Sequence, residues 1–470
     1  MSAGGTRRER GESTAGVRCE RDSMGEVLVP SDALWGASTQ RAIENFPVSG
    51  ERFPRRFLEA LGHVKEAAAR ANAALGVLPS DVADWIARAA DEVAEGALDA
   101  HFPLDVFQTG SGTSTNMNAN EVIANRAMQL RGTDAPRIHP NDHVNASQSS
   151  NDVIPTVIHI AAREAVHRDL LPALDRLHDV LAERAAAFAG VVKVGRTHLM
   201  DATPMTLGQE VGGWARQVAL ARERVARAGD GLAELALGGT AVGTGINCPP
   251  GFAKRAIARL SERSGREYRE ASDHFAAQGS MDPAVSLSGE LRAAAVALFK
   301  IGNDVRLLGS GPRTGIGELR LPALQPGSSI MPGKVNPVMA EVLTQASAQV
   351  VGNDAAVALG GLAGQLELNT FLPHVARNLL ATIALLASAV RLFADRCIAG
   401  LEADAARAEA LVEQSLMLAT ALAPRIGYAA AAALAKEAAA TGRTLREVAR
   451  ERKVLPDAEL AALLDPRKQV

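Results

Sequence analysis

At 470 residues, with 47% hydrophobic and 22% charged residues, the chain has an ordinary soluble globular composition and room for two or three structural regions. A formal net charge of −3 argues against a general nucleic-acid binder, and aromatics at 3% leave Ala, Leu and Val, a helix-favouring set, to build the core. Cys19, Cys248 and Cys397 lie too far apart for a disulfide framework or a metal-ligand pattern, which points to a reducing cytoplasm, and no apolar run is expected to reach the roughly 18 residues of a membrane helix.

In chain order, MSAGGTRRERGESTAGVRCERDS (1–23) carries charge without an apolar h-region; it reads as a disordered extension and not as a secretory signal. Short helices and loops are predicted from 24 to 147. LPSDVADWIARAADEVAEGAL (78–98) has an amphipathic helical period with Ser80 or Asp81 as N-cap. QTGSGTSTNMNAN (108–120) then places the hydroxyls of Ser111 and Thr113 just before a helix. SQSSND (147–152) does the same before a long helix over 153–190 that Pro172 should kink. HPNDHVN (139–145) is a further His/Asn/Asp loop, and its Pro140 argues against a helical metal face.

GRTHLMDATP (195–204) is a polar break carrying Thr197 and His198, an imidazole placed among hydroxyls where it can exchange protons near neutral pH. Helices are predicted over 205–239, 284–310, 337–361 and 375–400. At some 25 residues they exceed the usual mean of about 11–12 and are apolar on several sides, so a long bundle completed by other subunits is expected. No strand of more than a few residues is predicted, and the glycines of GGTAVGTGIN (238–247) follow none, so they make a weak nucleotide fingerprint.

QPGSSIMPGKVNP (325–337) packs glycines, paired serines and Lys334 ahead of a helix, with Asn336 as N-cap and Pro337 at the first helical position. Hydroxyls, a cation and a helix N-terminus describe a carboxylate or phosphate grip. Alone, this loop is equally a plain proline-rich connection, and either of the other two is better read as a mere cap; three such segments before three helices point to a shared anion site. Past 404, Gly442 should stop one short helix and Thr444 cap the next.

GSSIMPGKVNP (327–337) resembles the signature of the fumarase/aspartase superfamily. The whole set of motifs is similar to class II fumarate hydratases, from ERDSMGEVLVP (20–30) to TGRTLREVA (441–449). The resemblance implies a mainly α, three-part subunit, with an N-terminal lyase domain (24–147), a central helix bundle (148–403) and a small C-terminal helical domain (404–470). In the family the bundles form a twenty-helix core in a homotetramer whose active sites lie where three subunits meet, without metal, cofactor, nucleic acid or membrane. Aspartate ammonia-lyase, the alternative, carries Gln, Thr and usually Ala where this chain has His198, Ser150 and Gly333.

The resemblance also implies the chemistry: reversible hydration of fumarate to malate in the tricarboxylic acid cycle, through an aci-carboxylate intermediate. Ser328 is the implied base, His198 the acid and Glu341 its partner. Lys334, Val335 and Asn336 are expected to hold one carboxylate, Ser329 to contact substrate, and Ser111, Gly112, Thr113, Ser149, Ser150, Asn151 and Thr197 to hold the rest and a water. His139, Pro140, Asn141 and Asp142 match the family's second dicarboxylate site.

Overall fold

The computed structural model describes residues 16–132 and 136–470. Strand β1 (Val17–Asp22) pairs antiparallel with β2 (Gly25–Pro30), Asp22 facing Gly25. Arg41 clasps Asp22 at 2.8 and 3.1 Å and holds its carboxyl below the ordinary range, while Arg18 reaches the Pro30 carbonyl at 2.9 Å. The expected disorder through residue 23 therefore gives way to a hairpin from Val17, because charges that suggested solvation find partners: Arg18 bonds Glu20 at 2.9 Å and the Pro30 carbonyl, and Asp22 bonds Arg41. Residues 1–15 of that extension lie outside the described residues.

Helices follow in the order α1 (Ala37–Asn45), α2 (Arg55–Ala74), α3 (Ser80–Glu95), α4 (Thr113–Arg131), α5 (Ser150–Ala165) and α6 (Leu171–Ala187). Neither expected residue caps α3; Pro79 takes the N-cap place and Ser80 is the first helical residue. Pro172 interrupts the long helix as expected. It has no N–H to give the preceding turn, and the backbone widens into a π turn over Val166–Leu170 just before α6.

A hairpin of β3 (Val192–Thr197) and β4 (Met200–Thr206) comes next, longer than any strand predicted. Beyond it lie α7 (Leu207–Asp230), α8 (Phe252–Ser264), α9 (His274–Gly279), α10 (Asp282–Leu308), α11 (Val338–Gly361) and α12 (Leu372–Phe393). The chain ends in α13 (Ala405–Gln414), α14 (Ala423–Ile426), α15 (Tyr428–Thr441), α16 (Leu445–Glu451) and α17 (Asp457–Leu463). Gly442 closes α15 in the left-handed region, and Thr444 and Glu447 form a reciprocal capping box on α16, as the sequence suggested.

Two compact units result: residues through 165 with 228–288 and 353–381, and residues 166–227, 289–352 and 382–470. Helices α7, α10, α11 and α12 each contribute residues to both. In the first unit α2 buries Phe57, Leu61 and Val64, and α3 buries Ile86, Ala90 and Val93. Each large apolar side chain so buried is worth about 1.5–3 kcal/mol. In the second unit Val194 of β3 joins Val412, Leu418, Leu422, Leu434 and Val448 in one apolar cluster, so the hairpin is rooted in the C-terminal helices.

One helix overturns the expectation about apolar runs. Leu372–Ile398 is long and apolar enough to cross a membrane, with a mean hydropathy of 1.5 in its window, but 61% of that window is buried inside the protein, as in a core helix.

Candidate active site

In the first unit two helix N-termini lie side by side. Gly112, at φ 71°, is the N-cap of α4, and a Cβ there would meet the Ile154 side chain of α5 at 3.0 Å. Ser111 and Thr113 share a hydrogen bond of 2.8 Å across that cap. Asn116, one turn into α4, donates to Ser150 Oγ at 3.3 Å and so ties the two ends together. Six of the expected residues (Ser111, Gly112, Thr113, Ser149, Ser150 and Asn151) thus gather where two positive helix ends converge, a setting that favours anions.

Behind them stands machinery the sequence reading did not single out. Asp152 is fully buried and accepts backbone N–H groups from Ser149 at 2.8 Å, Gly238 at 2.9 Å and Thr240 at 3.0 Å. Burial pushes its pKa up, and the three N–H donors pull the other way. Asn151 donates to the Ala241 carbonyl at 2.8 Å. The glycine segment set aside as a weak fingerprint therefore braces the start of α5. The signal was present: Ser149 and Asp152 stand three apart, as a capping box requires. Lys65 of α2 is also fully buried and donates to Asn145 Oδ1 at 3.2 Å and Gln148 Oε1 at 3.0 Å, with burial lowering its pKa to about 7.

His139, Pro140 and Asn141 line a cleft of about 350 Å³ in this unit together with Arg21, Asn125 and Arg137. Pro140–Val144 forms a single π turn, and His139 Nδ1 accepts the backbone N–H groups of Asn141 at 3.3 Å and Asp142 at 3.2 Å.

The second unit carries the remaining expected residues. Thr197 and His198 sit at the tip of the β3–β4 hairpin, where His198 (φ 58°) and Leu199 (φ 62°) form its two-residue turn. Positive φ at two successive positions is what a type I′ turn demands, and Asn-Gly would satisfy it with less strain. The polar break expected between helices is thus a tight, solvent-exposed turn. Its base is clamped from within. Glu318, fully buried, takes two hydrogen bonds of 3.0 Å from Arg196 and lies 3.3 Å from Lys193, itself buried and 2.9 Å from Glu210.

In the serine loop, Ser328 Oγ accepts the backbone N–H groups of Ile330 at 3.2 Å and Met331 at 3.0 Å. Asn336 does not cap the next helix. Its side chain turns back to donate to the Gly327 carbonyl at 2.9 Å, the Gly327 N–H meets the Lys334 carbonyl at 2.7 Å, and α11 begins only at Val338. A Cβ on Gly327 would stand 2.9 Å from the Asn336 backbone nitrogen, so only glycine closes this loop without a shift. Ser329, Lys334 and Val335 are exposed. Glu341 lies in the first turn of α11 and makes no ion pair with His198 among the described residues.

The second unit therefore holds a hydroxyl with two amide donors, an exposed ammonium and an imidazole on a rigid turn. The first holds clustered hydroxyls at helix N-termini. This is donor chemistry for a small anion that gains negative charge as it reacts.

Comparison with known proteins places the chain in a family. A family profile described as "Lyase" matches residues 25–352, and one described as "Fumarase C C-terminus" matches residues 418–469. A fumarate hydratase class II from Thermosynechococcus vestitus is 53% identical over 442 residues, covering 93% of this chain and 94% of its own. A Halobacterium salinarum protein of the same name is 54% identical, covering 96% of each chain. The crystal structure of class II fumarase from Schistosoma mansoni superposes with a TM-score of 0.93 at 39% identity, covering 96% of this chain and 98% of its own. The chain belongs to the class II fumarate hydratase family.

Proposed function

We propose that this chain catalyses the reversible anti hydration of fumarate to (S)-malate, through an aci-carboxylate intermediate, as a step of the tricarboxylic acid cycle in the cytoplasm. It works as a homotetramer whose active sites draw on three subunits. The observation that carries this reading is Ser328 Oγ accepting two backbone N–H groups, at 3.2 and 3.0 Å, in a loop that also presents an exposed lysine. A serine hydroxyl is a very weak acid, and two amide dipoles aimed at its oxygen are what lets it act as an alkoxide base.

In malate dehydration Ser328 takes the proton from the carbon beside one carboxylate, and the C–H electrons pass into that carboxylate to give its aci form. They return to make the C=C bond as the neighbouring C–O bond breaks, and His198 gives its proton to the departing hydroxide, which leaves as water. Solvent restores the proton to His198 and receives the one on Ser328. Glu341 orients the imidazole from another subunit. Lys334, the Val335 amide and the second amide hydrogen of Asn336 hold the carboxylate that becomes doubly charged, and Ser329 contacts substrate. Ser111, Gly112, Thr113, Ser149, Ser150, Asn151 and Thr197 hold the remainder and the water. The cleft lined by His139, Pro140 and Asn141, with Arg21 and Arg137 beside it and Asp142 next along the chain, takes a second dicarboxylate.

The test is fumarate absorbance with the purified protein, supplied in turn with malate and with aspartate. Fumarate formed from malate alone is the expected result. Ammonia released from aspartate without malate turnover would overturn the reading.

A further inference from the structure

Lys65 lies in the middle of α2 and is fully buried, yet no carboxylate stands within ion-pair distance of it among the described residues. Burying an ammonium is costly unless its protons are satisfied, so its two neutral partners, Asn145 Oδ1 at 3.2 Å and Gln148 Oε1 at 3.0 Å, must matter. The Asn145 oxygen is a hub. It also takes amide N–H groups from Asn116 at 3.1 Å and Asn120 at 3.2 Å, while Asn116 Oδ1 and Asn120 Oδ1 are buried without a partner. Three donors converge on one oxygen while two neighbouring amide oxygens go unused, so Lys65, Asn116 and Asn120 all depend on where Asn145 is held.

The two residues that Lys65 grips bound the turn leading into Ser149. Asn145 Nδ2 bonds back to the Gln148 carbonyl at 3.2 Å, and Ser147 is held at φ 64°, a conformation unfavourable for serine. A second residue on the same helix, Asn72, accepts from Ser147 Oγ at 2.6 Å and donates to the Ala146 carbonyl at 2.9 Å. The α2 helix therefore carries two side chains whose described bonds all end on residues 145–148. The network then passes through Asn116 to Ser150 Oγ at 3.3 Å.

We propose that Lys65 is a positioning residue for substrate: its ammonium, held between Asn145 and Gln148, sets the turn that presents Ser149, Ser150 and Asn151 to a dicarboxylate. The inference rests on the fumarate hydratase reading and adds to it a residue that touches neither substrate nor the transferred proton. A displaced turn weakens ground-state and transition-state binding alike, so the signature is a raised KM with kcat little changed.

Lys65→Met keeps the length of the side chain and removes its charge and donors. In the full-length protein, with wild-type helical circular dichroism and native mass, it should raise KM for malate and the inhibition constant of succinate by about tenfold each. It should leave kcat within about threefold. Lys65→Arg should recover part of the loss. Unchanged KM and succinate inhibition in Lys65→Met, whether or not Tm falls, would overturn the proposal. If Lys65→Met does not fold, Gln148→Met removes the Oε1 acceptor of Lys65 together with the Nε2 bonds to the Val144 and Ala146 carbonyls of the same turn, and an unchanged succinate constant there again overturns the proposal. A wild-type protein that fails to turn over malate would sink the assigned activity instead, so the two failures are distinct.

Discussion

Replacing Glu318 by Ala tests whether the buried charge cluster holds the His198 turn. Glu318 and Glu210 balance Lys193 and Arg196, two charges against two. Lys193 would keep Glu210 at 2.9 Å, but Arg196 would lose both of its 3.0 Å bonds and retain only the Val194 carbonyl at 3.4 Å. A surplus positive charge would then remain in a buried site. Removing one partner of a buried pair costs about 3–5 kcal/mol. With an unfolding entropy near 2.1 cal/mol/K per residue, a cooperative chain of this length has about 1 kcal/mol/K, so Tm should fall by about 3–5 °C. The same loss frees the hairpin tip, and kcat should fall at least tenfold while KM for malate moves less, because the proposed role of His198 is to protonate the departing hydroxide. Glu318→Gln keeps one acceptor for Arg196 and should fall between the two. Calorimetry with malate kinetics measures both effects. A Glu318→Ala protein with Tm within about 1 °C of wild type and unchanged kcat would refute the reasoning.

His198→Asn should lower kcat by about 10²–10⁴-fold, the range for losing a general acid, without altering the far-ultraviolet circular dichroism; retained turnover would remove the histidine from the mechanism. Gly110→Ala should destabilise by about 1–3 kcal/mol, since the new Cβ would stand 1.8 Å from the Thr370 carbonyl oxygen and the loop before Ser111 would have to move. Calorimetry reads the loss, and a Tm equal to wild type would count against the close approach. Lys65 titrates near 7 in the folded protein and near 10.5 when unfolded, so between those values the unfolded chain binds the additional proton. Wild type should therefore gain stability relative to Lys65→Met as pH rises from about 7 to 10, by up to about 1.4 kcal/mol per pH unit, with a constant difference below 7. Parallel denaturant titrations across that range would show it, and a flat difference would place the ammonium in contact with water.

Much of this protein is legible in one dimension because its helices obey local rules. The apolar period of 375–400 became α12, the Gly442 and Thr444 punctuation became a helix stop and a capping box, and Pro172 broke its helix at the expected place. The donor loops could be picked out only as a set, since hydroxyls and amides before a single helix are equally well explained as caps. The His198 turn was not, because no glycine or asparagine marks its positive φ, and Gly195 and Pro204 interrupt the strand pattern on either side of it. Nor was the role of Asn336: capping would use its amide oxygen to accept a helix N–H, whereas the folded loop brings the Gly327 carbonyl within 2.9 Å of its amide N–H.

The amino-acid order by itself determined the helices, their ends and the residue types able to hold a dianion, because these depend on contacts a few positions apart. Only the tertiary structure decided that Lys65, Asp152, Lys193 and Glu318 lie inside and bond to the segments that carry the candidate residues. Charged side chains read as surface until partners 80 or more positions away, such as Asn145 for Lys65 and Gly238 for Asp152, replace their water. That exchange depends on how distant segments pack.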